Sequence, residues 1–271
     1  MTREEIFKEM EEMFGFVPMW FKMLSESTLE PEWQMFKRME FEEGAIAGKY
    51  RQLIGLACAA ATRCHYCTHY HTEVSKVWGA KDAEIEAAAY VAKAAMGWST
   101  YFEALQLQAD PKKADALGAC ARDWKKMVEA QKKMSDQDLH KQLNEQLEQM
   151  LGPLPAAMKA APDDAVRADW QAFNRAWFED GAIPQKYRHL MAVAVGGVTR
   201  SRNSVYIHTV LAKAFGATDA EIEDAAHYAK HTAGWSAYAN AMQIDYEQFK
   251  DEMGKICRRM REGKKAKAAV S

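Results

Sequence analysis

The sequence is poor in the residues that interrupt helices or cross-link a chain. Its 271 residues include only 7 prolines and 15 glycines, so long helices would meet few interruptions. The five cysteines are an odd number, which excludes a fully paired disulfide framework, and a chain of this length buries a core without one. We therefore expect a helical protein whose cysteines serve chemistry or packing.

Neither a strong excess of one charge nor a long apolar run is present. The formal net charge of -2 gives no reason to expect nucleic acid or an anionic membrane as a partner. The most apolar stretch, residues 53–62, is about half of the roughly 18–20 residues that cross a bilayer. The charged N-terminal segment lacks the apolar region of a signal peptide. We expect a soluble, cytoplasmic protein with no nucleic-acid or membrane partner.

Two long segments of the chain resemble each other. WQMFKRMEFEEGAIAGKYRQL begins at Trp33 and WQAFNRAWFEDGAIPQKYRHL begins at Trp170, an offset of 137 residues that holds through the following segments. Apolar residues recur with the period of a helix, and the strict alternation of a strand is missing. The sequence therefore predicts an all-α fold of two tandem repeats and a basic flexible tail, which span residues 1–134, 135–257 and 258–271.

The two copies differ where the first carries a pair of cysteines. The segment from Cys64 to Cys67 is CHYC, and residues 201–204 of the second copy are SRNS, whereas His71 corresponds to His208. On a helix, Cys64, Cys67 and His71 share one face. Two thiols one turn apart can close a disulfide, and a nearby imidazole can take the thiol proton or stabilise the nucleophilic thiolate. This pattern predicts a redox site in the first copy only.

These residues resemble the alkylhydroperoxidase D (AhpD)-like branch of the carboxymuconolactone decarboxylase superfamily. Its pattern is a glutamate, eleven residues, Cys-x-x-Cys, three residues and a histidine, and Cys64, Cys67 and His71 match it in type and spacing. The resemblance implies an all-α fold, a homotrimer for a two-copy chain, and thiol-dependent reduction of hydroperoxides. It also implies that Cys67 attacks the peroxide and Cys64 resolves the product as a disulfide. A dithiol partner such as a lipoyl or thioredoxin-like protein would then restore the pair. We expect no cofactor and no bound metal.

One position departs from that pattern. The glutamate of the family falls on Gln52, which cannot accept a proton at neutral pH. Either His71 works alone or another carboxylate substitutes, and Glu42 is the candidate because the second copy keeps an acid there, Glu179. A third option is weak peroxidase activity, with disulfide exchange or redox sensing as the function. Tyr66 stands where some relatives carry a histidine before the second cysteine, which also argues against full activity.

Other interpretations stay open at this stage. A carboxymuconolactone decarboxylase-type lyase is one, although that branch typically lacks the cysteine pair. A zinc site is another, in which His71 and His69 would join the two thiolates, although surface positions explain His65 and His69 better. A helix N-terminus would lower the pKa of Cys64, whereas the resemblance makes Cys67 the attacking thiol. We interpret the three isolated cysteines as packing residues: Cys58, Cys120 and Cys257.

Overall fold

The computed structural model describes residues 1–268, which form α-helices and one short 3-10 helix and contain no strand. The all-α prediction is confirmed. In chain order the helices are α1 (Arg3–Phe14), α2 (Met19–Lys22), α3 (Glu26–Glu40), α4 (Gly48–Ala61), α5 (His65–Val77), α6 (Asp82–Ala104), α7 (Ala114–Gln131), α8 (Asp136–Leu151), α9 (Ala156–Lys159), α10 (Asp163–Trp177), α11 (Gln185–Val198), α12 (Arg202–Ala214), α13 (Asp219–Ala241) and α14 (Tyr246–Ala268). Within the described range, no helix has both the length and the apolar character needed to cross a membrane.

The repeat is visible in the helix boundaries. Helices α3 to α6 of the first repeat and α10 to α13 of the second begin and end at positions 137 residues apart. Tyr50 and Tyr187 are equivalent in the two repeats, and their rings stack with centroids 3.7 Å apart. A contact between equivalent residues places them beside an approximate twofold axis that relates the two repeats. The prediction of two tandem copies is confirmed.

The helices of the two repeats pack against each other over a large shared contact. Helix α4 contacts both α11 and α13, and α11 contacts α6 as well as α4. Helix α14 lies on α5, and α7 lies on α12. The C-terminal helices of each repeat therefore cover the other repeat, and one hydrophobic core contains buried residues from both, such as Leu53 and Leu190.

A buried ion pair joins the repeats close to this shared core. The guanidinium of Arg51 in α4 faces the carboxylate of Asp224 in α13, with Nη2–Oδ1 and Nε–Oδ2 distances of 3.0 and 3.1 Å. Both side chains are buried, and the backbone N–H of Ile46 also donates to Asp224 at 2.8 Å. Because both charges are paired, the link fixes α13 against α4 without leaving an isolated buried charge.

From residue 258 the sequence predicts a flexible tail, and the structure describes a helix there. Helix α14 continues to Ala268, and residues 269–271 lie outside the described residues. Phe249, Met253 and Ile256 recur at helical spacing and are buried, so the apolar face of α14 is held in place. Beyond them, Arg259 donates to the carbonyl oxygens of residues 12 and 13 at the end of α1.

Candidate active site

A tight turn between α4 and α5 places the two cysteines. Helix α4 ends at Ala61, and Arg63 adopts a left-handed backbone conformation with φ 57°, which turns the chain into α5. Cys64 then becomes the N-cap residue of α5, and its Sγ accepts a hydrogen bond from the backbone N–H of Cys67 at 3.3 Å. A helix N-terminus favours negative charge, so this position suits a thiolate.

The two sulfur atoms lie 2.9 Å apart as free thiols. The hydrogen bond between the two sulfurs lowers the pKa of Cys64 to about 6 despite its burial. The same hydrogen bond, together with burial, raises the pKa of Cys67 well above its usual range. Ser236 of α13 donates to Cys67 Sγ at 3.2 Å and itself accepts from Thr62 at 3.0 Å. These opposite shifts make Cys64 the more acidic thiol of the pair.

Only one of the two sulfurs borders a cavity. Cys67 and His71 line a cavity of about 50 Å³, whereas Cys64 is fully buried and does not line it. Most of the other lining residues are aromatic or aliphatic. The first repeat contributes Trp20, Phe36, Glu40, Tyr66 and Tyr70, and the second contributes His231, Thr232, Trp235, Ala239, Ile244 and Phe249. A small apolar molecule in this space would meet the sulfur of Cys67 first.

His71 is held against α4 in one orientation. Its Nδ1 lies 2.8 Å from Gln52 Oε1, and its Nε2 lies 3.3 Å from the hydroxyl of Thr232 in α13. Gly55 makes room for the ring, because a Cβ at that position would lie 2.4 Å from His71 Cε1. Burial, with a smaller effect of His231, lowers the pKa of His71 to about 3. The imidazole is therefore neutral at physiological pH.

A buried carboxylate lies on the far side of Gln52. Gln52 Nε2 donates to Glu40 Oε2 at 2.6 Å, and the Tyr228 hydroxyl donates to Glu40 Oε1 at 2.9 Å. Tyr70 supplies a further hydrogen bond to the same carboxylate. Burial raises the pKa of Glu40, and these hydrogen bonds oppose the rise. Hydrogen bonds thus connect Glu40, Gln52 and His71 in series.

The structure brings four of the predicted site residues together, namely Cys64, Cys67, His71 and Gln52. It does not bring Glu42 to them. The Glu42 side chain is exposed, and its contact in this region is through its backbone carbonyl, which accepts from Arg51 at 2.8 Å. The carboxylate beside Gln52 is Glu40, two residues earlier, because α3 ends there with its side chain turned into the core. Sequence reasoning also missed the contributions of α13: Tyr228, Thr232 and Ser236.

The remaining cysteines and histidines of interest lie apart from this arrangement. Burial raises the pKa of Cys58 to about 12, and that of Cys120 and of Cys257 to about 11, so these thiols stay protonated at neutral pH. His65 is exposed and packs against Tyr66. Among the described residues, no group of three or more His, Cys, Asp or Glu side chains is arranged to hold a metal ion.

The equivalent position in the second repeat contains serine, histidine and tryptophan side chains and no thiol pair. Ser204 replaces Cys67 and accepts from the hydroxyl of Ser99 at 2.8 Å. His208 faces His189, with the two Nδ1 atoms 3.0 Å apart, and Trp177 stands where the first repeat has Glu40. A larger apolar cavity of about 110 Å³ lies nearby. Ser204, His208, His189 and Trp177 do not line it.

Fold and site together define an all-helical, two-repeat protein with one Cys-x-x-Cys thiol pair and an attendant histidine. The model of the carboxymuconolactone decarboxylase family matches residues 32–110 and 164–246, one match in each repeat and together more than half of the chain. The chain belongs to this family. Comparison with curated proteins and with solved structures gives no match.

Proposed function

We propose that the protein is a thiol-dependent hydroperoxide reductase in which Cys64 and Cys67 cycle between a dithiol and a disulfide. The observation that carries this proposal is the sulfur pair itself: two free thiols 2.9 Å apart, one with its pKa lowered to about 6 and the other lining a cavity. A disulfide bond is about 2.05 Å long, so closing it requires little movement of either side chain. Members of this family are usually enzymes, either peroxidases or decarboxylases.

In the first step the sulfur of Cys67 attacks the terminal oxygen of a hydroperoxide, ROOH. The Cys67 proton passes to a base, either the Cys64 thiolate 2.9 Å away or the neutral imidazole of His71. The O–O bond breaks, Cys67 becomes a sulfenic acid, and the alkoxide takes that proton back from the base and leaves as the alcohol ROH.

In the second step Cys64 resolves the sulfenic acid. Its thiolate attacks Cys67 Sγ, the S–S bond forms, and hydroxide leaves and is protonated to water. The lowered pKa of Cys64 supports this role, because the resolving thiol is ionised before the attack. A dithiol of the lipoyl or thioredoxin type then reduces the disulfide and is itself oxidised, which completes the cycle.

The lining of the cavity favours an organic hydroperoxide over hydrogen peroxide. Trp20, Phe36, Trp235 and Phe249 offer an aromatic surface to an alkyl or aryl group. Hydrogen peroxide has no group to bury there, so it gains nothing from this surface.

The proposal is tested by mass spectrometry of the reduced protein after brief exposure to tert-butyl hydroperoxide, with the remaining thiols alkylated. The wild type should form a Cys64–Cys67 disulfide, and the Cys64→Ser variant should accumulate a sulfenic acid on Cys67. Cys120→Ser is the matched control, since burial keeps that thiol protonated, and it should behave as the wild type.

Two results would overturn the proposal. One is a wild-type protein that remains folded with both thiols reduced after exposure to the hydroperoxide. The other is sulfenic acid on Cys64 in the Cys67→Ser variant at the wild-type rate, which would reverse the two roles.

A further inference from the structure

The geometry points to Glu40 as the positioning carboxylate of this site, which acts on His71 through the amide of Gln52 and thereby sets which ring nitrogen of His71 accepts a proton. This inference rests on the proposed function for its kinetic consequence, but its structural content can be tested separately. The inference assigns a role to Glu40, which lies two residues before Glu42, the acid that the sequence favours. It also explains how Gln52 can stand where the family pattern has a glutamate.

The hydrogen-bond chain fixes the direction of the Gln52 amide. An ionised carboxylate only accepts hydrogen bonds, so the contact of 2.6 Å to Glu40 requires the NH₂ group of Gln52 on that side. The carbonyl oxygen of Gln52 then faces His71 Nδ1 at 2.8 Å, and this oxygen also only accepts. His71 must therefore carry its proton on Nδ1, which leaves the lone pair on Nε2.

The Nε2 lone pair is turned away from α4 and towards α13. Thr232 donates to it at 3.3 Å, and both residues line the cavity that Cys67 also lines. This is the nitrogen that can act as a base for a proton released in the cavity. The negative charge of Glu40, relayed through the polarised amide, would stabilise the imidazolium that forms.

Protonation of Glu40 would reverse this arrangement. A carboxylic acid donates, so its O–H would pair with the carbonyl oxygen of Gln52 and the amide would turn over. The NH₂ group would then donate to His71 Nδ1 and shift the histidine proton to Nε2, where the ring can no longer accept. His71 would be disabled as a base without itself being protonated.

Several ionisable groups face Glu40 from the elements packed against it. Tyr70 of α5 and Tyr228 of α13 donate to it, and His231 Nε2 lies 3.7 Å from Oε1. Burial lowers the pKa of His231 to about 4, so this ring is neutral in the pH range of interest. The Arg51 charge favours the ionised form of Glu40 but is itself paired with Asp224. Burial raises the pKa of Glu40 above its ordinary value, so among these groups Glu40 is the one that we infer to take up a proton as the pH falls.

The second repeat supports the assignment by its differences. Where the thiols are replaced by serines, Glu40 is replaced by Trp177 and Gln52 by His189. Arg51 and its counterpart Arg188 are retained, although neither is part of the hydrogen-bond chain to the histidine. The acid and the amide are therefore present in the copy that has the thiols and absent from the copy that lacks them.

The decisive variants move the carboxylate rather than only remove it. The rate of Cys64–Cys67 disulfide formation with tert-butyl hydroperoxide is measured from pH 5 to 9 in the wild type, Glu40→Gln, the exchanged double variant Glu40→Gln/Gln52→Glu, and Glu42→Gln as a matched surface control. Glu40→Gln should lose about 10- to 100-fold in rate at pH 7, and should keep only the decline towards acid pH that loss of the Cys64 thiolate causes near pH 6. The exchanged variant should recover most of the rate, because its carboxylate contacts Nδ1 directly. Glu42→Gln should match the wild type.

A second measurement does not depend on peroxidase activity. The ¹⁵N NMR signals of the His71 ring in the reduced wild type, assigned by their loss in His71→Asn, should show a protonated Nδ1 and an unprotonated Nε2 at pH 8. A proton on Nε2 at that pH would overturn the inference, as would a folded Glu40→Gln variant with the wild-type rate and pH profile. A wild type with the expected tautomer but no reaction with hydroperoxide would contradict the proposed function and leave this inference intact.

Discussion

Ser236 and Ser99 occupy equivalent positions in α13 and α6, yet their hydroxyl groups donate to different atoms. Ser236 donates to the sulfur of Cys67 at 3.2 Å, and Ser99 donates to the hydroxyl of Ser204 at 2.8 Å. The first bond stabilises negative charge on the thiol pair, and the second joins two neutral groups. The pair of serines therefore offers a matched comparison within one chain.

Ser236→Ala should raise the pKa of the thiol pair. The Cys64 thiolate forms above a pKa of about 6 and is lost below it, and removing a donor to the pair moves this midpoint upward. Ser236 donates to Cys67 and not to the charged sulfur of Cys64, so its hydrogen bond of about 1 kcal/mol corresponds to about 0.7 pKa unit. Thiolate absorbance at 240 nm as a function of pH measures the midpoint. Ser99→Ala should leave it unchanged, and an equal shift in both variants would contradict the assignment.

Gly55 and Gly97 give a second matched pair. A Cβ at Gly55 would lie 2.4–2.7 Å from three atoms of the buried His71 ring, whereas a Cβ at the exposed Gly97 would meet nothing within 4 Å. Gly55→Ala should therefore lower the free energy of unfolding by about 1–3 kcal/mol through overpacking. Gly97→Ala should raise it by about 0.5–1 kcal/mol, because alanine suits a helix interior better. Urea unfolding followed by circular dichroism measures both, and a stabilised Gly55→Ala would show that the His71 ring can move aside.

At the residue scale, the sequence predicts Cys64, Cys67 and His71 as site residues, and the structure places them beside Gln52 and Glu40, with Glu42 apart from them. Glu42 was favoured because the second repeat keeps an acid at the equivalent position, Glu179. That criterion selects residues common to both repeats, whereas the cysteine pair is present in the first repeat alone. Glu40 differs between the copies, as the cysteines do, so comparing differences would have found it.

At the scale of helices, the ion pair between α4 and α13 holds the two repeats in register around the site. Arg51 and Asp224 are buried, so Asp224→Asn leaves a guanidinium without its carboxylate in the core. The variant should lose about 3–5 kcal/mol of unfolding free energy, as expected when one partner of a buried pair is removed.

The matched control for this prediction is an exposed ion pair. Lys125 and Asp180 lie 3.2 Å apart with both side chains largely exposed, so Asp180→Asn should change the unfolding free energy by less than about 1 kcal/mol. Urea unfolding measures both variants. Equal small losses would mean that the buried pair contributes little to holding α13 on α4.

The helices and most of the architecture could be predicted from apolar periodicity and from the repeat. Periodicity depends only on neighbouring residues, and the repeat is found by comparing the chain with itself. The contacts of α13 with the thiol pair could not. Ser236 is 169 residues from Cys67 in the chain, and Thr232 is 161 residues from His71. Nothing in the local pattern of α13 indicates which helix it covers. The same limit applies to α14, whose basic residues suggested a tail while its buried face fixes it as a helix.

At the scale of the whole molecule, each repeat is completed by the other. The thiol site takes its cysteines, histidine and carboxylate from the first repeat, and its Thr232 and Ser236 donors from the second. The second repeat, which has serines in place of the cysteines, thus contributes to the site of the first. It also predicts that the first repeat alone lacks a properly formed site.

A fragment of residues 1–134 should therefore not show the thiolate midpoint near pH 6 that the full chain is expected to have. Mixing or co-expressing it with a fragment of residues 135–271 should restore the midpoint, because α13 and α14 then cover α5 again. Thiolate absorbance at 240 nm and size-exclusion chromatography follow the two events. A lone first fragment with the full-chain midpoint would contradict the account of shared construction.

The most direct test of the central claim is the stoichiometry of a single turnover. Reduced protein is mixed with less than one equivalent of an organic hydroperoxide, and the alcohol product and the Cys64–Cys67 disulfide are both quantified. The account predicts one alcohol for each disulfide, with none of either in Cys67→Ser. Hydroperoxide recovered intact beside a fully reduced and folded protein would contradict it.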